Sequence, residues 1–103
     1  SLPPKIFKNL HELRKIDLGY NQLAAIGSDH FHGNRKLQIV WLNDNKINSL
    51  ISAIFDHKQN LKFVDLKQNQ CINKEYGNWS VENGFEEDIQ QFRNDVNENC
   101  MNL

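Results

Sequence analysis

Apolar residues recur every 24 positions along the first part of the chain. Leu13, Leu37 and Leu61 form one such column. Further columns keep the same phase: Ile16/Val40/Val64, Leu18/Leu42/Leu66, Leu23/Ile47/Cys71, Leu2/Ile26/Leu50 and Phe7/Phe31/Phe55. Because chance does not hold so many columns in register, the sequence predicts a stack of repeated units. A partial unit occupies residues 1–12, and full units start at 13, 37 and 61.

Each unit predicts one short strand followed by a turn. Ile16 and Leu18 are two positions apart, so on an extended backbone they point to the same side, as do their equivalents in the next two units. Successive strands about 4.8 Å apart can pair as a parallel sheet and join their apolar columns into one core. Asn21, Asn45 and Asn69 follow the strands, where an amide both donates and accepts hydrogen bonds. We expect these asparagines to be structural.

The periodicity changes after Asn69. Asn, Gly and Trp within residues 73–84 predict an irregular connection. Apolar residues then recur at helical spacing, which predicts an amphipathic helix over about 84–98 through Phe85, Ile89, Phe92 and Val96. We interpret residues 73–103 as a C-terminal cap whose helix covers the open end of the last unit and keeps its edge from pairing with another chain.

The pattern L-x-x-L-x-L-x-x-N-x-L resembles the leucine-rich repeat family over residues 1–72. The resemblance implies an α/β repeat solenoid with a parallel concave sheet, an irregular convex side and the helical cap. The 24-residue length and the L-x-x-x-x-F tail are similar to extracellular animal repeats, whereas cytosolic repeats of this family tend to be longer. The chain is therefore expected to be extracellular or secreted.

The C-terminal part narrows the resemblance to one group of leucine-rich repeat proteins. Asn69, Cys71, Ile72 and Asn73 form an N-x-C-I-N motif, and an acidic helical segment ending in Cys100 follows it. This arrangement is similar to the end of secreted arthropod leucine-rich repeat proteins, some of which act in innate immunity. The chain departs from the commoner four-cysteine cap, since it has one cysteine at each end of the segment instead of two.

Two cysteines and one sequon bear on whether the chain is secreted. Cys71 occupies an inward-facing column and Cys100 follows the predicted helix, so with this repeat class we expect a disulfide that joins cap to repeats. The alternative is a buried Cys71 that behaves as a small hydrophobe and a free Cys100 thiol. Asn78 begins an N-W-S sequon and is a glycosylation candidate if the chain passes through the secretory pathway.

The residues between the inward-facing positions are expected to form the partner-binding surface. On the concave face this alternation places Ile39, Trp41 and Phe63 in one apolar patch. Apolar patches often mark interaction sites, and aromatic residues dominate many interfaces, although single apolar surface residues are common. The surrounding rim is predicted to contain Lys15, Asp17, Asp65 and Tyr20.

Composition and motifs exclude several classes of function. The formal net charge is −1, and the 12 Lys and Arg residues are scattered, so we expect no nucleic-acid partner. No apolar run approaches the roughly 20 residues of a membrane-spanning helix. His30 and His32 form a pair, but no further ligand column converges with them, so no metal is expected. Without catalytic motifs or a closed pocket, the chain is expected to be neither an enzyme nor a cofactor binder.

The leading hypothesis is an extracellular recognition module that binds a protein through its concave face, in innate immunity or cell-surface signalling. The alternative is a structural segment of a longer repeat protein, which self-associates or stacks through its uncapped N-terminal edge. The partial unit at residues 1–12 also leads us to expect that the repeats belong to something longer.

Overall fold

The computed structural model describes residues 10–27, 30–31, 33–55, 58, 60–77 and 86–100. These residues form short strands and one helix: β1 Lys15–Asp17, β2 Ala25–Ile26, β3 Ile39–Trp41, β4 Ser49–Leu50, β5 Phe63–Asp65, β6 Glu75–Tyr76 and α1 Glu86–Asn99. β1, β3 and β5 are parallel neighbours in the order of the chain. Their register is the predicted 24-residue offset, since Ile16 pairs with Val40 and Val40 with Val64.

The inward-facing columns form the core. Val40 and Leu42 are completely buried between the first and third units, whereas Val64 and Leu66 are completely buried between the second unit and the segment that contains β6. The Phe column is buried as well, and the rings of Phe31 and Phe55 stack with centroids 6.0 Å apart. Leu2, Phe7 and Phe85 lie outside the described residues.

The asparagine column links one unit to the next. Asn45 accepts a hydrogen bond from the backbone N–H of Leu23 at 3.1 Å and donates to the Leu18 carbonyl at 2.9 Å. Asn69 repeats both bonds one unit later, accepting from Ile47 N–H at 3.1 Å and donating to the carbonyl of Leu42 at 3.0 Å. A buried turn loses its hydrogen bonds to water, and these amides replace them.

The regions outside the main strands are more regular than the sequence pattern predicts. β2 and β4 form a second, two-stranded parallel sheet, so the segment expected to be irregular contains its own ladder. Within the predicted irregular connection, β6 pairs with β5 in the antiparallel direction, with Asp65 opposite Glu75. The sequence pattern predicts that the helix protects the edge of the last strand, and the structure adds the two-residue strand β6 at that edge.

Helix α1 packs its apolar side against the last unit. Phe92 and Val96 are completely buried, and the Phe92 ring lies 5.6 Å from Phe55 and 5.4 Å from Tyr76 between centroids. The Tyr76 hydroxyl donates to Asp95 at 2.6 Å. Such packing, rather than intrinsic propensity, supplies most of the stability of a 14-residue helix.

Cys71 and Cys100 form a disulfide, with their Cα atoms 5.1 Å apart. The bond joins the segment after β5 to the residue that directly follows α1. Parallel strands of successive units and a C-terminal helix fit a repeat solenoid. The division into repeats at 1–72 and a cap at 73–103 stays a prediction.

Candidate functional site

The candidate site is the side of the β1–β3–β5 sheet that faces away from the core, here called the strand face. β1 contributes Lys15 and Asp17, β3 contributes Ile39 and Trp41, and β5 contributes Phe63 together with Asp65. Side chains of a strand alternate between its two faces, so these residues lie opposite the buried middle residue of each strand. The register forms two rows, Lys15–Ile39–Phe63 and Asp17–Trp41–Asp65.

The apolar part of the strand face is half-buried rather than fully open. Ile39, Trp41 and Phe63 each have intermediate exposure, because neighbouring strands place side chains close beside them. Lys15 and Asp17 on the edge strand are exposed. The apolar residues therefore form a partly covered surface with its charged side at β1.

Asp65 differs from the exposed rim residue that the pattern predicts. It is only 8% exposed, because β6 pairs with β5 at this position. Its carboxylate also accepts a hydrogen bond from the backbone N–H of Lys67 at 3.0 Å. Asp17 makes the equivalent bond with Gly19 N–H at 2.9 Å but remains exposed. Asp17 and Asp65 thus make the same local hydrogen bond, but only Asp17 is exposed to solvent.

The residue before each asparagine of the asparagine column has a left-handed backbone. Tyr20, Asp44 and Gln68 have φ values of 56°, 58° and 61°. Left-handed backbone costs a residue with a side chain roughly 1–2 kcal/mol, and Asp and Asn adopt it more readily than Tyr. Tyr20 is also 80% exposed, which makes it the most exposed large apolar residue in the part of the chain that the structure describes. Strained, exposed positions of this kind are common at binding sites.

Polar acceptors gather around Gly19, beside Tyr20 and Trp41. A Cβ atom at Gly19 would lie 2.9 Å from Asn43 Oδ1 and 3.2 Å from Asp17 Oδ1. Asn43 also donates through Nδ2 to the Asp44 carboxylate at 2.7 Å. A side chain at position 19 would therefore have to displace the Asn43 side chain.

The sequence pattern did not single out two buried polar residues. Asn34 and Lys58 follow Leu10 at 24-residue steps, and both are buried. Asn34 donates to the Leu10 carbonyl at 2.9 Å, and the Lys58 ammonium donates to the Phe31 carbonyl at 2.6 Å. Burial lowers the pKa of Lys58, and the positive charge of Arg35 lowers it further. The 24-residue spacing from Leu10 was the signal that would have found them.

The remaining predictions concern the histidine pair, the sequon, metal binding and membrane spans. The His30 ring accepts a hydrogen bond from Gly27 N–H at 2.9 Å, whereas His32 and Asn78 lie outside the described residues. Among the described residues, no group of three or more His, Cys, Asp or Glu side chains is arranged to hold a metal ion. In the same part of the chain, no helix has the length and apolarity needed to cross a membrane.

The strand register and the asparagine bonds describe a repeat unit, and comparison with known proteins supports the same conclusion. Residues 1–47 match the family described as leucine rich repeat. The chain carries leucine-rich repeats. The third unit, from residue 61, lies beyond the matched residues, yet it continues the same strand register.

Two curated relatives match part of the chain. Leucine-rich repeat-containing protein 66 of Rattus norvegicus is 34% identical over 64 residues, which cover 62% of this chain and 7% of the relative. The protein of the same name from Homo sapiens is 32% identical over 69 residues, covering 67% of this chain and 8% of the relative. The chain thus spans less than a tenth of the length of either. Leucine-rich repeats commonly mediate protein–protein binding and are generally non-enzymatic.

Proposed function

We propose that this chain is a protein-binding module that uses the strand face, which the family resemblance predicts to be concave. One observation carries the proposal: Ile39, Trp41 and Phe63 are neighbours in the sheet, and none of them is fully buried in the core. Their apolar surface loses its contact with water only when another molecule covers it. Tyr20, 80% exposed at the edge of this surface, extends the aromatic contact area.

The outline of the proposed surface follows from accessibility. Lys15 and Asp17 form its charged rim at β1, whereas Asp65 lies largely covered beside β6. The centre of the surface is Trp41, which has an aspartate as its register partner on both sides. Large aromatic residues near the centre of an interface contribute most of its binding free energy.

Alanine variants of the apolar residues test the proposal. The protein is immobilised and used to capture partners from the extracellular fluid of its source, and the dissociation constant of the captured partner is then measured. Trp41→Ala and Phe63→Ala are each expected to weaken binding by about 30-fold, corresponding to roughly 2 kcal/mol. Circular dichroism and the intact disulfide show that each variant is folded.

Leu10→Ala is the matched control. Leu10 is 48% exposed, so its side chain offers a comparable apolar loss, yet it lies outside the strand face. We expect the Leu10 variant to bind as the unchanged protein does. Equal affinity of the Trp41 and Phe63 variants and the unchanged protein would refute binding through the strand face.

We also propose that the module acts outside the cell, in innate immunity or cell-surface signalling. The Cys71–Cys100 disulfide supports an oxidising compartment, because cytosolic thiols are kept reduced. The choice of process rests on the predicted resemblance of the C-terminal sequence to secreted arthropod repeat proteins. Expression of the full-length protein in cells of its source, followed by fractionation, tests the location. Finding it only in the cytosol, with both thiols reduced, would contradict this part of the proposal.

A second function, assembly through the β1 edge, is supported by Asn21. Unlike Asn45 and Asn69, Asn21 is exposed, and among the described residues it donates only to the nearby carbonyls of Leu18 and Gly19. Among the described residues, no strand pairs with β1 on the side away from β3. The Asn21 side-chain oxygen is therefore placed to accept a hydrogen bond from a further unit, in the way that Asn45 accepts one from Leu23.

Two changes at the β1 edge test this second function. A copy of residues 13–24 placed before residue 1 adds a strand that can pair with β1 and gives Asn21 a neighbouring unit. If the β1 edge drives assembly, sedimentation should show association of the original chain and weaker association of an Asn21→Ala variant. A monomeric original chain at its highest soluble concentration would exclude self-association.

A further inference from the structure

Cations that are scattered in the sequence meet along one side of the strand face. Just before β1, β3 and β5 the chain segments lie side by side, since Gln38 N–H donates to the Arg14 carbonyl at 2.7 Å and Lys62 N–H donates to the Gln38 carbonyl at 2.8 Å. The exposed cations of these segments and of β1 are Arg14, Lys15, Arg35, Lys36 and Lys62. Within residues 10–15, 33–38 and 60–63, the sole acidic residue is Glu12.

Most of these cations lack a counter-charge. Lys36 pairs with Glu12 at 2.8 Å. The other four, Arg14, Lys15, Arg35 and Lys62, form no ion pair with any described residue. We call these four residues the strand-start edge. The strand face is therefore bordered by net positive charge on the side where its strands begin.

Glu12 shows which chemical group this positive charge favours. The hydrogen bond and the charge of Lys36 lower the pKa of the Glu12 carboxyl, and the charge of Arg14 lowers it further. A carboxylate of the chain itself is thus stabilised in its charged form beside the strand-start edge. The unpaired cations are placed to do the same for carboxylates that come from outside.

The charge changes sign across the strand face. Lys15 and Asp17 lie on the same side of β1, two residues apart, which corresponds to about 7 Å. Asp44, further along in the second unit, is partly exposed as well. A uniformly anionic chain, such as a sulfated polysaccharide, would be attracted at the strand-start edge and repelled at these aspartates. A matching ligand has its negative charges on one side only.

The apolar residues of the strand face lie directly beside the cations. Ile39 is the register partner of Lys15 and of Phe63, and Trp41 lies two residues further along the same strand. Each of these three apolar side chains is partly exposed. Covering them requires apolar groups from the ligand, which a polypeptide supplies and a sugar chain does not.

We infer that the strand face takes an acidic segment of the protein partner, whose carboxylates lie over the strand-start edge while its apolar side chains cover Ile39, Trp41 and Phe63. This inference rests on the proposed binding through the strand face and adds the chemistry and the orientation of the partner to it. Arg14 and Arg35 can each hold a carboxylate by two parallel hydrogen bonds, whereas Lys15 and Lys62 act as point charges.

Two short peptides test the inference without knowledge of the partner. Acetyl-Glu-Leu-Glu-Leu-Glu-amide alternates carboxylates with apolar side chains, and the same peptide with Gln for Glu has the same shape without charge. Titration of the isotope-labelled full chain is followed by NMR at the Arg14 and Lys62 amides and at the Trp41 indole N–H. We expect saturable shifts at all three positions with the glutamate peptide and at least threefold weaker binding of the glutamine peptide. Added salt should reduce the difference.

Variants with equal changes of net charge provide the matched comparison. Arg14→Gln and Lys62→Gln together remove two exposed cations of the strand-start edge, and we expect this double variant to bind the glutamate peptide about threefold to tenfold more weakly. Lys46→Gln and Lys67→Gln remove two exposed cations that follow the strands instead. This control should bind the peptide as the unchanged protein does. Circular dichroism shows that both double variants are folded.

Several outcomes would overturn the acidic segment. They are the absence of saturable shifts with the glutamate peptide, equal binding of the two peptides, and equal weakening in the two double variants. Shifts at Arg14 and Lys62 without a shift at Trp41 would show attraction to the cations alone and would overturn it too.

Other occupants of the strand face have their own signatures. A heparin tetrasaccharide that shifts the Trp41 indole as the glutamate peptide does would assign the face to a sulfated polysaccharide. Self-association of the unchanged protein that disappears in the Arg14 and Lys62 variant would assign the edge to a second copy. Either result would overturn the inference.

Failure of the inference and failure of the proposed function are distinguishable. If the acidic segment is overturned but binding of the captured partner still depends on Trp41 and Phe63, binding through the strand face stands without it. Loss of that dependence would remove the proposed function itself.

Discussion

The two ends of the repeat stack contain the same columns of residues but cover them differently. In the first unit, Leu18 is only partly buried and Asn21 is exposed. In the third unit, Leu66 is completely buried, and β6 occupies the sheet edge. The residue types match, so the difference comes from the neighbours. In a solenoid, the interface between units contributes much of the stability, and a given residue contributes according to how many units contact it.

The largest effect is expected from truncating the leucine column at its two ends. Leu66→Ala should lower the free energy of unfolding by about 4 kcal/mol, because a fully buried leucine leaves a cavity. Leu18→Ala should cost about half as much, since its side chain is already partly exposed. Urea denaturation of both variants measures the ratio. Equal losses would show that the neighbours do not determine what this column contributes.

The disulfide gives the third-unit end a stabilising feature of its own. Cys71 and Cys100 have a sequence separation of 29, for which loop-closure entropy assigns the bond about 3.5 kcal/mol. The Cys71→Ala, Cys100→Ala double variant should lose about this amount and release α1 before the repeats unfold. Hydrogen exchange resolved along the chain tests the order of opening. Simultaneous exchange of helix and strands would contradict it.

The asparagine column is expected to show a smaller difference in stability between the two ends of the stack. Asn45→Ala should cost about 2 kcal/mol, because the buried N–H of Leu23 and the carbonyl of Leu18 both lose a partner. Asn21→Ala should cost about 0.5 kcal/mol, since its bonds are local and exposed to water. Thermal unfolding of the two variants compares them. In the chain extended by a copy of residues 13–24, the cost at Asn21 should approach the cost at Asn45.

Tyr76 at the third-unit end introduces a dependence on pH. Its burial, together with the hydrogen bond and negative charge of Asp95, raises the pKa of the phenol well above its ordinary value of 10.0. The folded state therefore keeps this proton to higher pH than the unfolded state does. Its contribution is fully present below pH 10 and is lost as the pH rises further.

Removing the Tyr76 hydroxyl tests this expectation. Tyr76→Phe should cost about 1 kcal/mol at neutral pH through the lost bond to Asp95 and should show a smaller loss of stability above pH 10. Tyr20→Phe is the control, because Tyr20 is 80% exposed. Identical alkaline unfolding of the Tyr76 variant and the unchanged protein would contradict the role of the phenol.

What the sequence pattern predicts well is the part of the fold that depends on repetition. The column through Leu42 and Leu66 follows from spacing alone, and so does the register that pairs Val40 with Val64. The partner of Cys71 was inferred from its column and from the position of Cys100. Each of these residues is determined by its equivalents one unit away, and a sequence displays such equivalence directly.

The features that spacing does not predict depend on contacts between dissimilar segments. β6 is two residues long, too short for an alternation pattern, and it forms because the open edge of β5 lies beside it. The burial of Asp65 follows from that pairing. The alternation of side chains along each strand predicts the rows of the strand face. It does not predict the acceptors around Gly19, because these depend on the position of the Asn43 side chain.

Gly19 also bears on how such an array can lengthen during evolution. A duplicated second unit, inserted before the existing one, would place an asparagine where Gly19 now contacts the Asn43 side chain. A Cβ atom there would lie 2.9 Å from Asn43 Oδ1, so the amide would have to rotate and give up its bond to Asp44. Tandem duplication of this unit therefore requires Asn43 to change its conformation at the junction, whereas duplication of the first unit, which brings its own glycine, does not.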